Sequence, residues 1–160
     1  MNLVILQKLQ AKFGDAIVES NEFRDELTVV VRKDRLVELC TYLKEDRGLR
    51  YDLLVDLCGI DMYTPVKRFG VIYNVYSLKN RHRLRLKTFT EDEQPQVPTV
   101  TGVWSTANWH ERETYDMFGI LFDGHPDLRR IYMPDDFEYH PLRKDFPLMG
   151  VPGSIRLPKK

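Results

Sequence analysis

The sequence predicts an α/β protein of the α+β kind. Residues 1–122 are expected to form a two-layer domain, with helices packed on a mixed, largely antiparallel sheet, and residues 123–160 an extended C-terminal arm. Three observations predict this. Stretches with apolar residues at helical spacing alternate with stretches rich in β-branched and aromatic residues. Residues 69–88 carry the pattern of a β-hairpin. Pro126, Pro134, Pro141, Pro147, Pro152 and Pro158 punctuate the end of the chain, which forbids long helices and weakens any central strand.

Leu3, Leu6, Leu9 and Phe13 predict an amphipathic helix over 2–13, with Asn2 as its cap and Gly14 as its stop. Residues 16–20 and 26–31 read as strands joined by a charged turn. Asp34 is expected to cap a second helix that has Leu36, Leu39, Cys40 and Leu43 on one face and Gly48 past its end. Residues 51–62 read as a strand that runs into a loop at Gly59. Residues 69–78 form the first hairpin strand, and a turn at Asn80 leads into the second. Lys79, Arg81, Arg83, Arg85 and Lys87 alternate there with His82, Leu84, Leu86 and Thr88, giving one basic and one more apolar face. The basic face is either a solvated face that deters edge-to-edge pairing or a docking face for an acidic partner. A loop with Glu91, Asp92, Glu93, Pro95 and Pro98 precedes a third helix over 103–118, which ends at Gly119. Along the arm, Tyr132, Phe137, Tyr139, Arg143 and Phe146 are side chains that a neighbouring subunit would order, against the alternative of a floppy terminus.

Lys+Arg and Asp+Glu are 24 each, so the formal net charge is zero. A nucleic-acid binder is usually basic overall or in one half, so no nucleic-acid partner is expected. Cys40 and Cys58 cannot supply the four ligands of a zinc or iron–sulfur site, and read as buried free thiols in a reducing compartment. The first residues lack the pattern of a signal peptide, and no apolar run approaches the ~20 residues of a membrane span. A cytoplasmic protein is expected, with any membrane association borrowed from a partner.

His110-Glu111-Arg112-Glu113-Thr114 comes within one residue of a zinc-protease helix, but Thr114 stands where the second His is needed. Gly119 and Gly124 have the spacing of a phosphate loop, but His125 replaces its Lys and Pro126 has no N–H to donate. A small metal-dependent hydrolase using His110, Glu111, His125 and Asp127 remains the rival of another class, if the fold gathers those residues. The stretch 104–118 sets Glu111, Arg112, Glu113 and Asp116 among Trp109, Tyr115 and Phe118. Arg112 and Asp116 are four apart and expected to pair, with Arg129 and Arg130 satisfying the spare carboxylates. Such a network would lock an arm against a helix, or a subunit against its neighbour.

Residues 111–131 read Glu-Arg-Glu-Thr-Tyr-Asp-Met-Phe-Gly-Ile-Leu-Phe-Asp-Gly-His-Pro-Asp-Leu-Arg-Arg-Ile. This resembles the signature of the 30-kDa (C-type) subunit family of NADH:quinone oxidoreductase, respiratory complex I. The family pattern has Glu-Arg-Glu, an acid three residues on, two hydrophobics, a His seven residues later, a basic residue and two hydrophobics. Glu111-Arg112-Glu113, Asp116, Met117-Phe118, His125, Arg129 and Ile131-Tyr132 fit each point. Asn108-Trp109 and the run from His140-Pro141 through Arg143-Lys144-Asp145 to Pro147 are also similar to family sequence.

The resemblance implies a cofactor-free structural subunit of the peripheral arm of a proton-translocating enzyme, with no catalysis by the isolated chain. FMN and iron–sulfur clusters are then expected in partner subunits. Those partners are the D (49-kDa) subunit most directly, with the B and I iron–sulfur subunits as further neighbours. It implies a peripheral position at the cytoplasmic face of the bacterial inner membrane, held only through the complex. It also implies interface roles for Glu111, Arg112, Glu113, Asp116, His125, Asp127, Arg129, Arg130, Arg143 and Lys144. Some relatives are fused to the D subunit, whereas this chain is expected to be separate. Ferredoxin-dependent and hydrogenase-type complexes contain equivalent subunits, so the electron donor and host stay open.

Overall fold

Leu27, Val29 and Val31 are buried, whereas Glu26, Thr28 and Val30 between them are only half-buried. The same period-2 pattern puts Val71, Tyr73 and Val75, and Leu84, Leu86 and Thr88, on one buried face. Strands of this kind must lay that face against another layer. The structure, a computed structural model, describes residues 1–91 and 94–153. Asp92 and Glu93 of the acidic loop and residues 154–160 of the expected arm, Pro158 included, lie outside the described residues.

The elements run α1 (Asn2–Phe13), β1 (Ile17–Phe23), β2 (Glu26–Val31), a 3-10 turn (Lys33–Arg35), α2 (Leu36–Glu45), β3 (Leu53–Asp61), β4 (Phe69–Ser77), β5 (His82–Thr90), β6 (Gln96–Pro98), α3 (Ala107–Phe118) and β7 (Leu121–Asp123). The main sheet has the order β1-β2-β5-β4-β3. Its pairs are antiparallel except β2 with β5, which is parallel. The fold is thus the mixed, mostly antiparallel α+β architecture expected. The second, small sheet is a parallel pair, β6 with β7.

Ile5, Leu9 and Phe13 of α1, Leu36, Leu39, Cys40 and Leu43 of α2, and Ala107 of α3 join the sheet's buried face in one core. At about 1.5–3 kcal/mol for each fully buried large aliphatic, this layer-on-layer contact is the main stabilising term. α3 lies across β3 where Gly59 removes a side chain. A Cβ there would meet Phe118 at 2.6 Å and Thr114 at 2.9 Å. Gly59 therefore does not start a loop; it pairs with Val71 inside the strand.

Four local expectations need correction. Asn2 does not cap α1: it is the first helical residue, and its side chain donates to the Asp25 carbonyl and meets His82 Nε2 at 2.6 Å. Asp34 does not cap α2: it sits in the 3-10 turn, bound by Arg32, and the helix starts at Leu36. α3 starts at Ala107, because 100–104 form a turn in which the Val103 and Trp104 N–H groups both donate to the Val100 carbonyl. The indole N–H of Trp104 is meanwhile drawn to the Tyr51 carbonyl at 3.0 Å. Finally, the basic strand does not protect an edge. β5 is central, and its Arg85 bonds Glu26 of β2 at 2.8 Å and Asn74 of β4 at 3.1 Å.

Candidate functional site

Glu111, Arg112 and Asp116 are all buried on α3, where charged residues occur only if each is satisfied. They are satisfied in different directions: Arg112 and Asp116 tie the helix to the chain that follows β7, and Glu111 ties it to the chain that follows β6.

Asp116 faces the arm. Its Oδ2 accepts the backbone N–H groups of Ile131 (3.0 Å), Tyr132 (2.7 Å) and Met133 (2.9 Å), and its Oδ1 accepts Arg130 Nη1 (2.6 Å). Burial pushes this carboxyl up, but the three N–H groups and the guanidinium outweigh it and hold it below its ordinary value. Arg112 does not pair with Asp116 as expected. It donates to the carbonyls of Arg129 and Arg130, each at 3.2 Å, and its guanidinium lies 4.9 Å over the Trp109 ring. One helix thus holds both backbone polarities of the same arm segment. Arg130 also reaches the Tyr139 carbonyl at 3.2 Å.

Glu111 faces inward. Its carboxylate accepts Val100 N–H at 2.8 Å and the Thr99 hydroxyl at 2.5 Å. Burial raises it to about 7, although those two bonds pull the other way. His125 Nε2 lies 3.9 Å away with its side chain fully enclosed. His125 Nδ1 accepts the Asp127 N–H at 3.0 Å, which leaves Nε2 to donate to the Asn108 carbonyl at 3.2 Å and so assigns the tautomer. Glu113 is exposed and stays outside the cluster. Asp127 and Arg129 pair with one another at 3.0 Å on the surface.

Farther along the arm, Arg143 Nε donates to the Phe118 carbonyl at 2.6 Å and its guanidinium stacks 4.9 Å from Phe69. Lys144 takes part through its backbone N–H, which donates to Asp61 at 2.9 Å, while its side chain is exposed. Phe137, Tyr139 and Phe146 pack with ring centroids 5.6–6.4 Å apart. α3 ends at Gly119, whose φ of +71° suits glycine. A Cβ there would also strike Arg143 Nη2 and come within 2.5 Å of His140 Nε2.

Several residues of this clasp carried no signal in the sequence. Asp61, at the end of β3, accepts Arg68 Nε (3.0 Å) and Nη2 (2.9 Å) and the N–H groups of Tyr63 and Lys144. Burial pushes it up, but these bonds win and set it at about 2. His140 Nδ1 meets the Asp116 carbonyl at 2.9 Å. Thr99 is 12 residues from Glu111 and Asp61 is 83 from Lys144, and only folding brings them together.

Asp116 and Asp61 are held ionised by fixed donors. The hydrolase set does not assemble as a whole: Glu111 and His125 approach to 3.9 Å, but His110 lies 3.8 Å from Asp56, and Asp127 is engaged with Arg129. Among the described residues, no group of three or more His, Cys, Asp or Glu is placed to hold a metal ion. Nor is any described helix long and apolar enough to cross a membrane.

Residues 29–152 match the family described as the 30 Kd subunit of respiratory-chain NADH dehydrogenase. The C-type subunit of NADH-quinone oxidoreductase from Geotalea uraniireducens is 53% identical, over 89% of this chain and 86% of that protein. The same subunit from Roseiflexus sp. is 50% identical, over 92% and 84%. Among solved structures, a trypsin-resistant fragment (1-134) of Nqo5 aligns with a TM-score of 0.63 at 34% identity, over 80% of this chain and 100% of that one. A chain of the archaeal membrane-bound sulfane sulfur reductase aligns with a TM-score of 0.78 at 22% identity, over 92% and 86%, a likeness of fold. The family match covers more than half the chain and takes in both α3 and the described arm, so this chain belongs to the 30 Kd subunit family of respiratory-chain NADH dehydrogenase.

Proposed function

We propose that the chain is a cofactor-free structural subunit in the peripheral arm of a proton-translocating NADH:quinone oxidoreductase. It supports electron transfer from NADH through iron–sulfur centres to quinone by docking the quinone-site subunits, and has no turnover of its own. FMN and the clusters sit in partner subunits. The D (49-kDa) subunit is the main contact, with the B and I subunits as neighbours, and the membrane is reached only through the complex, at the cytoplasmic face of the inner membrane.

The observation that supports this reading is the clasp. The buried Arg112 and Asp116 are committed to the arm's backbone and Glu111 to Thr99 and Val100, so together they fix a shape. Fixed in that shape, the helix and arm turn Trp109 (61% exposed), Tyr132 (60%), Leu142 (55%), Leu148 (100%) and Met149 (95%) outward. Apolar and aromatic side chains displayed on a rigid support suit a protein interface, with Glu113, Asp127, Arg129 and Lys144 as its polar rim. In this reading 1–122 is the compact domain and 123–160 the docking arm.

The test is a tagged pull-down from mildly solubilised membranes, with partners identified by mass spectrometry and NADH:quinone activity assayed. Iron–sulfur and quinone-site subunits recovered with activity are the expected result. A partnerless 18.9 kDa protein would overturn the proposal.

A further inference from the structure

The loop between β3 and β4 overhangs a cleft of about 510 Å³ beside the arm. Tyr63, Lys67, Arg68, Phe69, Glu91 and Arg143 line it. We propose that this cleft is a carboxylate-binding notch, in which Arg143 and Lys67 receive an acidic side chain presented by a neighbouring subunit. The proposal rests on the reading above, that the chain works inside a multi-subunit complex, and assigns a ligand chemistry to one part of its surface.

The charge arrangement carries it. The acids nearest Arg143 are already engaged. Asp61 is bound through both oxygens by Arg68, and Asp145 meets Arg68 Nη2 at 3.0 Å. Lys67 faces Glu91 at 3.7 Å, with the two side chains 51% and 62% exposed, a loose surface pair that an incoming group can displace. Arg143 has no carboxylate within ion-pair distance among the described residues. Its Nε is bound to the Phe118 carbonyl and its plane rests on Phe69. It is a half-buried, pre-oriented cation whose remaining donors have no hydrogen-bond partner among the described residues. Burial weighs most against its protonated form and the Arg68 charge adds to that, together outweighing the pull of Asp145 and Asp61. This is the electrostatic mark of a cation short of a counter-ion.

The rim points to a polypeptide rather than a free ion. Tyr63 and Lys67 both adopt positive φ, 54° and 59°, although neither is glycine. The loop is held in that shape by Tyr63 N–H to Asp61, Met62 N–H to the Arg68 carbonyl and the Thr64 hydroxyl to the Val66 carbonyl. So held, it exposes Met62 (50%), Tyr63 (62%) and Val66 (63%) around a charged centre. An apolar rim of this kind has no use for a dissolved anion, and suits a partner's surface. The planar fork of an arginine matches a planar carboxylate. A phosphate site would instead offer a cluster of backbone N–H groups or a helix N-terminus. Here the loop contains Pro65, which has no N–H, and among the described residues no helix starts at the cleft.

A photo-crosslinker at the rim tests this in the assembled complex. Val66→p-benzoylphenylalanine is introduced into the tagged chain, the membranes are irradiated, the complex is purified and the adduct is sequenced by mass spectrometry. The expected adduct is on another subunit, within a few residues of an Asp or Glu. Lys67→Glu, an exposed charge reversal that leaves the fold alone, is expected to lower its yield at least tenfold at equal assembly. Assembled complex with no adduct, an adduct to lipid, or a yield unchanged by Lys67→Glu would each overturn the notch while leaving the subunit assignment standing. Recovery of the chain without other subunits would overturn both.

Discussion

Asp116 receives four donors on two oxygens, and three of them are backbone N–H groups of consecutive arm residues. Removing the carboxylate leaves those groups and Arg130 without their acceptor. Asp116→Ala is expected to cost about 3–5 kcal/mol, the range for breaking a buried pair on one side. Glu113→Gln, on the exposed face of the same helix, should stay within about 0.5 kcal/mol. Urea denaturation of the two variants checks both values. Glu111 behaves in the opposite sense to Asp116. Its carboxyl is raised by burial to about 7 in the folded chain from 4.5, so the folded state binds more protons than the unfolded one between those values. The stability that Glu111 contributes must therefore fall as pH rises from about 4.5 to about 7, by at most about 3 kcal/mol, and level off above. Glu111→Gln, which cannot ionise, should flatten that slope, and urea midpoints at pH 5 and pH 7.5 would show it. Asp61, held at about 2 against 3.8, contributes stability that is lost only as pH falls from 3.8 toward 2, outside that window.

At the scale of elements, α3 is fixed at two points by the absence of a side chain. At Gly59 the helix comes down onto β3, and at Gly119 it ends in a left-handed turn over which His140 and Arg143 cross. Gly119→Ala should destabilise by more than the roughly 1 kcal/mol that left-handed backbone alone costs a non-glycine residue, because its methyl group would also displace both side chains. Amide exchange at Ile131, Tyr132 and Met133 should accelerate in that variant even where α1 and β1 keep their protection. Equal protection across the chain would refute the coupling of helix end and arm. The basic strand belongs at this scale too. The alternation of Arg83, Arg85 and Lys87 with Leu84, Leu86 and Thr88 fixes which face is wet, but not where the strand sits in the sheet. β2 adds to β5 in parallel, by a non-local pairing that no local pattern encodes.

At the scale of the whole molecule, a zero net charge and an outward display of Trp109, Tyr132 and Leu142 suit a chain that works inside an assembly. Arg112→Ala unfastens the carbonyls of Arg129 and Arg130, and should lower recovery of the complex in the pull-down. Normal assembly with slowed turnover would contradict the scaffold reading. The helices, the hairpin and the α+β class were legible in the sequence because periodicity is a local consequence of one buried face. So was the involvement of Glu111, Arg112, Asp116 and Arg130, since charges on an amphipathic helix beside aromatics must be answered by something. What answers them was not legible. Spacing made Arg112 the partner of Asp116, yet a buried carboxylate is better satisfied by three backbone N–H groups and Arg130, and Arg112 by two carbonyls. Only the path of the arm brings those groups within reach. The same holds for Asp61, which meets Arg68 seven residues on but Lys144 across the whole sheet and helix. The sequence by itself determined which faces are apolar and which charges need partners, because those follow from residue type and period. The tertiary structure decided the partners, the central place of β5 and the open notch at Arg143, because these depend on which distant segments share one volume.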